Sequence, residues 1–201
     1  DMASVTLKLN TDGFFSLLMG ATDLGTGSDT ILAQIAAETL GVSLDKIVVY
    51  SSDTDLTPFD AGAYASSTTY TTGNAVIDAA EKMVDLIKHH GAIHFNTTID
   101  NIQFDGNTIK NIETEEYITL SDFSKRITYN HQFIQLSTTG SFVPEKNVPP
   151  YMAGFAEVEV DLETGKVDVV EFVGVGDCGT PSNPKLSKVQ IEGGITTGIG
   201  L

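Results

Sequence analysis

The residues with the strongest claim to chemistry lie at 20–34, GATDLGTGSDTILAQ, where a glycine-rich loop hands over to an amphipathic helix. Gly25 and Gly27 let backbone N–H groups come close to a ligand, and the helix N-terminus just beyond them favours negative charge. The pattern suits a phosphate or similar anion. It suits equally a tight strand-to-helix turn whose glycines serve geometry alone. A P-loop wants Lys and then Ser or Thr after its second glycine, whereas Gly25 is followed by Thr26 and Gly27. A dinucleotide loop wants a third glycine where this chain has Thr30.

Other clusters carry less. Asp53, Asp55 and Asp60 in DTDLTPFD suggest calcium, but an EF-hand loop opening at Asp53 requires Gly at 58 and Glu at 64, and Pro58 and Tyr64 stand there. The segment reads as a turn whose carboxylates bond local N–H groups. His89, His90 and His94 do not share one helix face at i, i+4, and Gly91 is expected to break the helix between them, so no metal site is read there. Cys178 reads as a small buried residue with no paired base. The run Ser66-Ser67-Thr68-Thr69 ahead of Gly73 offers hydroxyls and backbone donors at a helix entrance, or simply a Ser/Thr cap.

The elements that position these residues follow from periodicity and turn signals. Strands are expected at 5–9 and 14–19, joined at Asp12-Gly13, whose glycine supplies the positive φ of a hairpin turn. A helix is expected over 29–40, capped by Ser28 or Asp29 and stopped at Gly41, with Ile31, Leu32, Ile35 and Leu40 on its apolar stripe. A strand at 46–51, a loop at 52–71 and a helix at 72–90 complete the first half. The second half is expected to open with a strand near 93–98. A hairpin, 101–104 to 108–114, follows about Asp105-Gly106, and SDF at 121–123 caps a short helix to about 131. A polar stretch, 137–150, then separates it from two long strands, 153–161 and 166–175, and from a last helix after Pro184.

Hairpins packed with helices in each half imply an α+β fold of two layered subdomains with mixed sheets, 1–91 and 92–201. FFSLLMGATDLGTG and VVEFVGVGDCGTP share a strand followed by Asp-x-Gly-Thr, which raises an internal duplication. The chain has 201 residues, 41% of them hydrophobic and 19% charged, as expected of a globular protein with a real core. Its formal net charge of -16 repels nucleic acid and acidic membrane surfaces. No apolar run approaches the roughly 20 residues of a membrane span. A single cysteine rules out an internal disulfide and fits a reducing cytoplasm. The chain opens almost at once on the strand VTLKL, which suggests a piece of a longer protein.

Four co-linear segments resemble the molybdopterin-binding subunit of the molybdenum hydroxylases, the xanthine dehydrogenase and aldehyde oxidase family. They are DLGTGSDTILAQIAAETLGV (23–42), VVYSSDTDLTPFDAGAYASSTTYTTGNAV (48–76), AEVEVDLETGKVDVVEFVGVGDCGTPSNP (156–184) and VQIEGGITTGIGL (189–201), and together they cover nearly the whole chain. The resemblance implies a molybdopterin cofactor approached by Gly25, Thr26 and Gly27, with Leu32 beside it. It implies that Ala65, Ser66, Ser67 and Thr68 wrap the pterin and phosphate, and that Gln190 contacts the pterin edge. Many members carry Gln where this chain has Thr26, and the shorter threonine is not expected to hydrogen-bond the metal centre directly.

The implied activity is hydroxylation of a heterocycle or aldehyde with water-derived oxygen. Its base is a glutamate in a Gly-Glu-Pro-Pro motif expected downstream of Leu201, so no catalytic residue and no protein ligand to the metal is assigned within the chain. The implied partners are the N-terminal half of the same subunit, iron–sulfur and flavin domains or subunits, and a second copy of the whole enzyme. The 201 residues alone are expected to be inactive and to bind cofactor weakly or not at all. A non-catalytic phosphate- or nucleotide-binding module and a structural or assembly domain are the competing readings.

Overall fold

The computed structural model describes residues 2–131, 134–146 and 148–200. The chain folds as an α+β protein in two compact units, 1–145 and 146–201. The chain does not divide at the expected 91/92 boundary, because a helix runs straight through Gly91 and a strand at 137–142 belongs to the first sheet.

In the first unit, β1 (Ala3–Leu9) and β2 (Phe15–Met19) form the expected hairpin about Asp12-Gly13. Ala3, Val5, Leu7 and Leu9 alternate into the core, the period-2 signature of a half-covered strand. The helix α1 (Ser28–Leu40) then crosses over to β3 (Ile47–Ser51), which pairs parallel to β2. Gly41 ends α1 in the left-handed conformation, as expected.

The next helix, α2, spans Thr68–Phe95, four residues earlier and five later than its periodicity suggests. Gly91 does not break it. A Cβ there would lie 2.8 Å from Ile109 Cγ2, so the glycine marks a close helix-to-strand contact instead of a stop. The strand expected near 93–98 is accordingly replaced by the end of α2, its left-handed cap at Asn96 and a 3₁₀ turn at Ile99–Asn101. Beyond it, β4 (Ile102–Phe104), β5 (Thr108–Asn111) and β6 (Tyr117–Thr119) make a small antiparallel sheet. Thr119, rather than Ser121, caps α3 (Leu120–Arg126) by accepting from the Asp122 amide.

The segment expected to be a polar separator holds β7 (Ser137–Phe142), antiparallel to β1, which completes a four-stranded sheet in the order β3-β2-β1-β7. Its polar look has a packing cause. The strand lies so close to α2 that a Cβ on Gly140 would sit 2.1 Å from the Ala75 carbonyl and 2.5 Å from the Ala79 nitrogen. Thr138 Oγ1 also donates to the Ala79 carbonyl at 2.8 Å. Only small or hydroxyl-bearing side chains fit such a seam, and α2 answers with its own buried Ala75, Ala79 and Ala80.

In the second unit, β8 (Tyr151–Val160) and β9 (Val167–Asp177) form an antiparallel ribbon with a bulge between Glu157 and Val158. The helix α4 (Pro184–Ile199) starts with Asn183 as N-cap and Pro184 in its first turn. It lies against the ribbon face where the strands are glycine: a Cβ at Gly174 or Gly176 would meet Ile195 or Ile191 at 2.6 and 2.7 Å. The repeated Asp-x-Gly-Thr has a structural counterpart. Asp23 accepts from the Gly25 amide and Asp177 from the Gly179 amide, both at 2.9 Å, and both glycines are left-handed.

Candidate cofactor site

Because β2 and β3 run parallel, both hand over to helices from the same end of the sheet, where open α/β arrangements hold their ligands. The loop to α1 leaves Met19 and the loop to α2 leaves Ser51. Hydrogen bonds tie the two exits together: Ser52 N donates to the Met19 carbonyl at 3.3 Å and Ser52 Oγ to the Ala21 carbonyl at 3.2 Å. Ser51 Oγ donates to Asp29 Oδ2 at 3.1 Å. Gly20 has no room for a side chain, since a Cβ would lie 2.6 Å from the Pro58 carbonyl and 2.7 Å from Asp60 Cβ. Asp60 in turn accepts from the Gly62 amide and from Thr72 Oγ1, each at 2.8 Å. The start of α2 is thereby fastened to the start of the glycine loop.

The α1 entrance differs from the sequence expectation. Gly27, in the left-handed conformation, is the N-cap, and neither Ser28 nor Asp29 caps through its side chain. Asp23 does the work. Its Oδ1 accepts from the amides of Gly25 at 2.9 Å and Gly27 at 3.1 Å, and its Oδ2 from Asp29 at 3.4 Å. Partial desolvation pushes the Asp23 carboxyl up, but the amides of Gly27, Asp29, Gly25 and Thr26 outweigh it and hold the pKa below the ordinary carboxylate value. The amide nest that the glycines advertise for a phosphate is filled by the chain's own carboxylate.

The α2 entrance is built the other way. Ala65 and Ser66 are both left-handed, at φ 53° and 55°, a conformation that costs about 1–3 kcal/mol in a non-glycine residue and clusters at ligand-binding sites. Ser67 is the N-cap residue, but it makes no side-chain cap: its Oγ donates backwards to the Tyr64 carbonyl at 2.8 Å. The Ser67 side chain thus leaves the first-turn amides of this 28-residue helix uncapped. An uncapped helix start of this kind attracts an anionic group.

Three buried polar atoms complete the picture. Ser28 Oγ, Asp29 Oδ1 and Thr71 Oγ1 have no hydrogen-bond partner among the described residues, although Ser28 and Thr71 are only 6% and 4% exposed. They belong to the first turns of α1 and α2. Leaving such groups unmade costs about 1–3 kcal/mol each, so each of them calls for a polar partner. A pterin, with ring N–H and amine donors, carbonyl acceptors and a phosphate tail, supplies partners for both kinds of atom, and the residues present fit it.

The expected site residues divide into three groups. Gly25, Thr26, Gly27, Ala65, Ser66, Ser67 and Thr68 all lie on the two helix entrances just described. Leu32 is fully buried, one turn beyond Ser28, and packs near Gly73, so it supports the site from the core. Gln190 lies on α4 in the second unit, exposed. Cys178 is exposed, contrary to the expected buried position, as are nearly all residues of the β8–β9 ribbon it follows. Asp53 accepts from the Asp55 amide at 3.0 Å, as the turn reading requires. Sequence reasoning passed over Asp23 and Thr71 and read Asp60 only as a turn carboxylate; an Asp two residues ahead of a glycine, as in Asp23-Leu24-Gly25, is the turn signal that flags the first.

Comparison with known proteins agrees. The profile of the molybdopterin cofactor-binding domain matches residues 1–201. The chain is 37% identical over 200 residues to the probable hypoxanthine oxidase XdhD of Escherichia coli K12, covering 100% of this chain and 21% of that protein. It is 33% identical over 204 residues to the putative xanthine dehydrogenase molybdenum-binding subunit XdhA of the same organism, covering 100% and 27%. Among solved structures, reconstituted CO dehydrogenase from Oligotropha carboxidovorans superposes with a TM-score of 0.79 at 26% identity, over 96% of this chain and 25% of that one. The chain thus spans between a fifth and about a quarter of the length of these relatives. With its fold, its two helix entrances and this match over all 201 residues, the chain belongs to the molybdopterin cofactor-binding domain family of the molybdenum oxidoreductases.

Proposed function

We propose that the two helix entrances form one wall of the molybdopterin site in a molybdenum-dependent hydroxylase acting on a heterocycle or aldehyde. The observation that carries this reading is the set of buried, unpartnered atoms Ser28 Oγ, Asp29 Oδ1 and Thr71 Oγ1 beside an uncapped α2. Relatives named as hypoxanthine oxidase and xanthine dehydrogenase support the reaction class.

Each residue has a role in holding the cofactor. The amides of the first α2 turn and the hydroxyls of Ser66, Ser67 and Thr68 would receive the phosphate tail. The Ser28 and Thr71 hydroxyls would donate or accept at the pterin, and Asp29 Oδ1 would accept a pterin N–H. Gly25, Thr26 and Gly27 would approach its molybdenum end. When bound, the cofactor supplies two-electron oxidation, in which oxygen from water enters a substrate C–H bond and two electrons and two protons leave. The residues of this chain bind and orient it and shield it from bulk water.

The remaining parts come from elsewhere in the parent protein. No Gly-Glu-Pro-Pro occurs among the 201 residues, so we assign the proton-abstracting glutamate, the facing wall and the iron–sulfur and flavin electron acceptors to further domains or subunits, in a cytoplasmic enzyme that self-associates. Among the described residues no helix is long and apolar enough to cross a membrane. The 201-residue chain alone is accordingly inactive and retains little cofactor. Molybdenum and pterin analysis of the purified chain and of its full-length parent tests this. Stoichiometric molybdenum in the parent and little in the isolated chain supports the reading; a parent free of molybdenum overturns it.

A further inference from the structure

The Asp-x-Gly turns at Asp23 and Asp177 are not equivalent. The carboxylate of Asp177 accepts from Gly179, a plain Asx turn, while that of Asp23 reaches on to Gly27 and Asp29 as well. Asp23 is exposed, so solvent alone could satisfy it. Instead it sits where an external anion would sit, among amides that the left-handed Gly25 and Gly27 turn toward a common point.

We propose that Asp23 is a positioning residue that acts as the loop's built-in anion: it fixes Gly25 and Gly27 on either side of Thr26 and closes the α1 entrance to phosphate, leaving the α2 entrance as the anion-binding one. This rests on the reading of residues 20–30 as a cofactor wall. The division of labour has a physical basis. Two phosphate-accepting helix starts on one ligand wall would compete for the same tail. A loop held by three amide bonds to one carboxylate presents a single backbone shape to the cofactor. The lowered Asp23 pKa fits a carboxylate that stays ionised while it does so.

The proposal is tested without cofactor, by following the amide resonances of Gly25, Gly27 and Asp29 in the 201-residue chain during titration with inorganic phosphate and, separately, formate. In the unaltered chain these three amides should not move. In Asp23→Ala they should shift saturably, with phosphate or formate binding at least about tenfold tighter than in the unaltered chain. Asp23→Asn, which keeps an acceptor oxygen without charge, should hold the loop shape and stay closed to both ions. Urea unfolding of each variant establishes that the fold persists.

Saturable movement of the three amides in the unaltered chain would overturn the proposal, as would a folded Asp23→Ala chain that takes up neither ion. In the full-length parent, Asp23→Ala should lower molybdenum content and formate should restore part of it, a rescue that a purely structural role does not give. If the parent never holds molybdenum but the amide titration behaves as described, the cofactor reading fails while the built-in anion stands.

Discussion

Thr72 Oγ1 donates to Asp60 Oδ2 at 2.8 Å, twelve positions back along the chain, and pins the start of α2 onto the residue packed against Gly20. Thr72 is 1% exposed, so this bond is shielded from water at one end. It is the clasp that makes two separate helix entrances into one surface.

Breaking that clasp should cost stability and loosen the site together. Asp60→Ala removes an acceptor from both Gly62 N and the buried Thr72 hydroxyl, and a hydrogen bond to a charged partner is worth about 1.5–3 kcal/mol. We expect a loss of that size by urea unfolding. Amide exchange should quicken through residues 58–72 while the strands β1 and β2 keep their protection.

Thr71→Val should behave oppositely. The hydroxyl it removes is buried and without a partner, so the isosteric change should leave the stability of the 201-residue chain unchanged or raise it by about 1 kcal/mol. In the full-length parent the same change should weaken cofactor retention about tenfold. Thermal unfolding of the one and molybdenum content of the other provide the two readings. A clear stability loss in the isolated chain would mean that Thr71 has a structural partner after all.

Gly140→Ala should be among the most damaging single changes in the first unit. The added carbon would lie 2.1 Å from the Ala75 carbonyl, against backbone that cannot swing aside. Overpacking of this kind costs about 1–3 kcal/mol or more. Neighbouring Thr139→Ala should cost less than about 1 kcal/mol, because that residue is exposed and bonds through its carbonyl. Paired urea titrations compare them.

Acid should unfold the first unit through identified turns. The amides of Thr108 and Asn107 hold the Asp105 carboxyl below its ordinary value of 3.8. A carboxyl depressed in the folded state lends stability that is complete above the unfolded pKa and is lost as pH falls through the folded one. Stability should therefore be insensitive to this group from neutrality to about pH 5 and decline below about pH 4. Asp105→Asn should remove part of that decline, measured as urea midpoints across the acid range.

Legibility in the sequence followed how local the cause was. Asp12-Gly13, Gly41, the Asp105-Gly106 hairpin and the Asn183-Pro184 helix start all declare themselves through a few neighbouring residues, and all stand where expected. Gly91 and β7 were misread because their glycines answer to a distant chain: Gly91 to Ile109, Gly140 to Ala75. A single sequence does not distinguish a glycine that ends a helix from one that admits a neighbour. The two helix entrances were visible as clusters of Gly, Ser and Thr, but their inequality was not. That depends on Asp23 turning inward, while Ser67 turns its hydroxyl back to Tyr64.

The seam between α2 and β7 has a consequence for how this protein can vary. Thr71 and Ala79 lie about 12 Å apart along the helix axis, and the small residues of the seam leave the helix no freedom to slide or roll. The aim of the first turn is therefore inherited from Ala75, Ala79 and Gly140, and drift at these three would misdirect Thr71 while every residue of the proposed cofactor site stayed the same. Loss of binding in a diverged copy of this domain would first be written in its alanines and glycine.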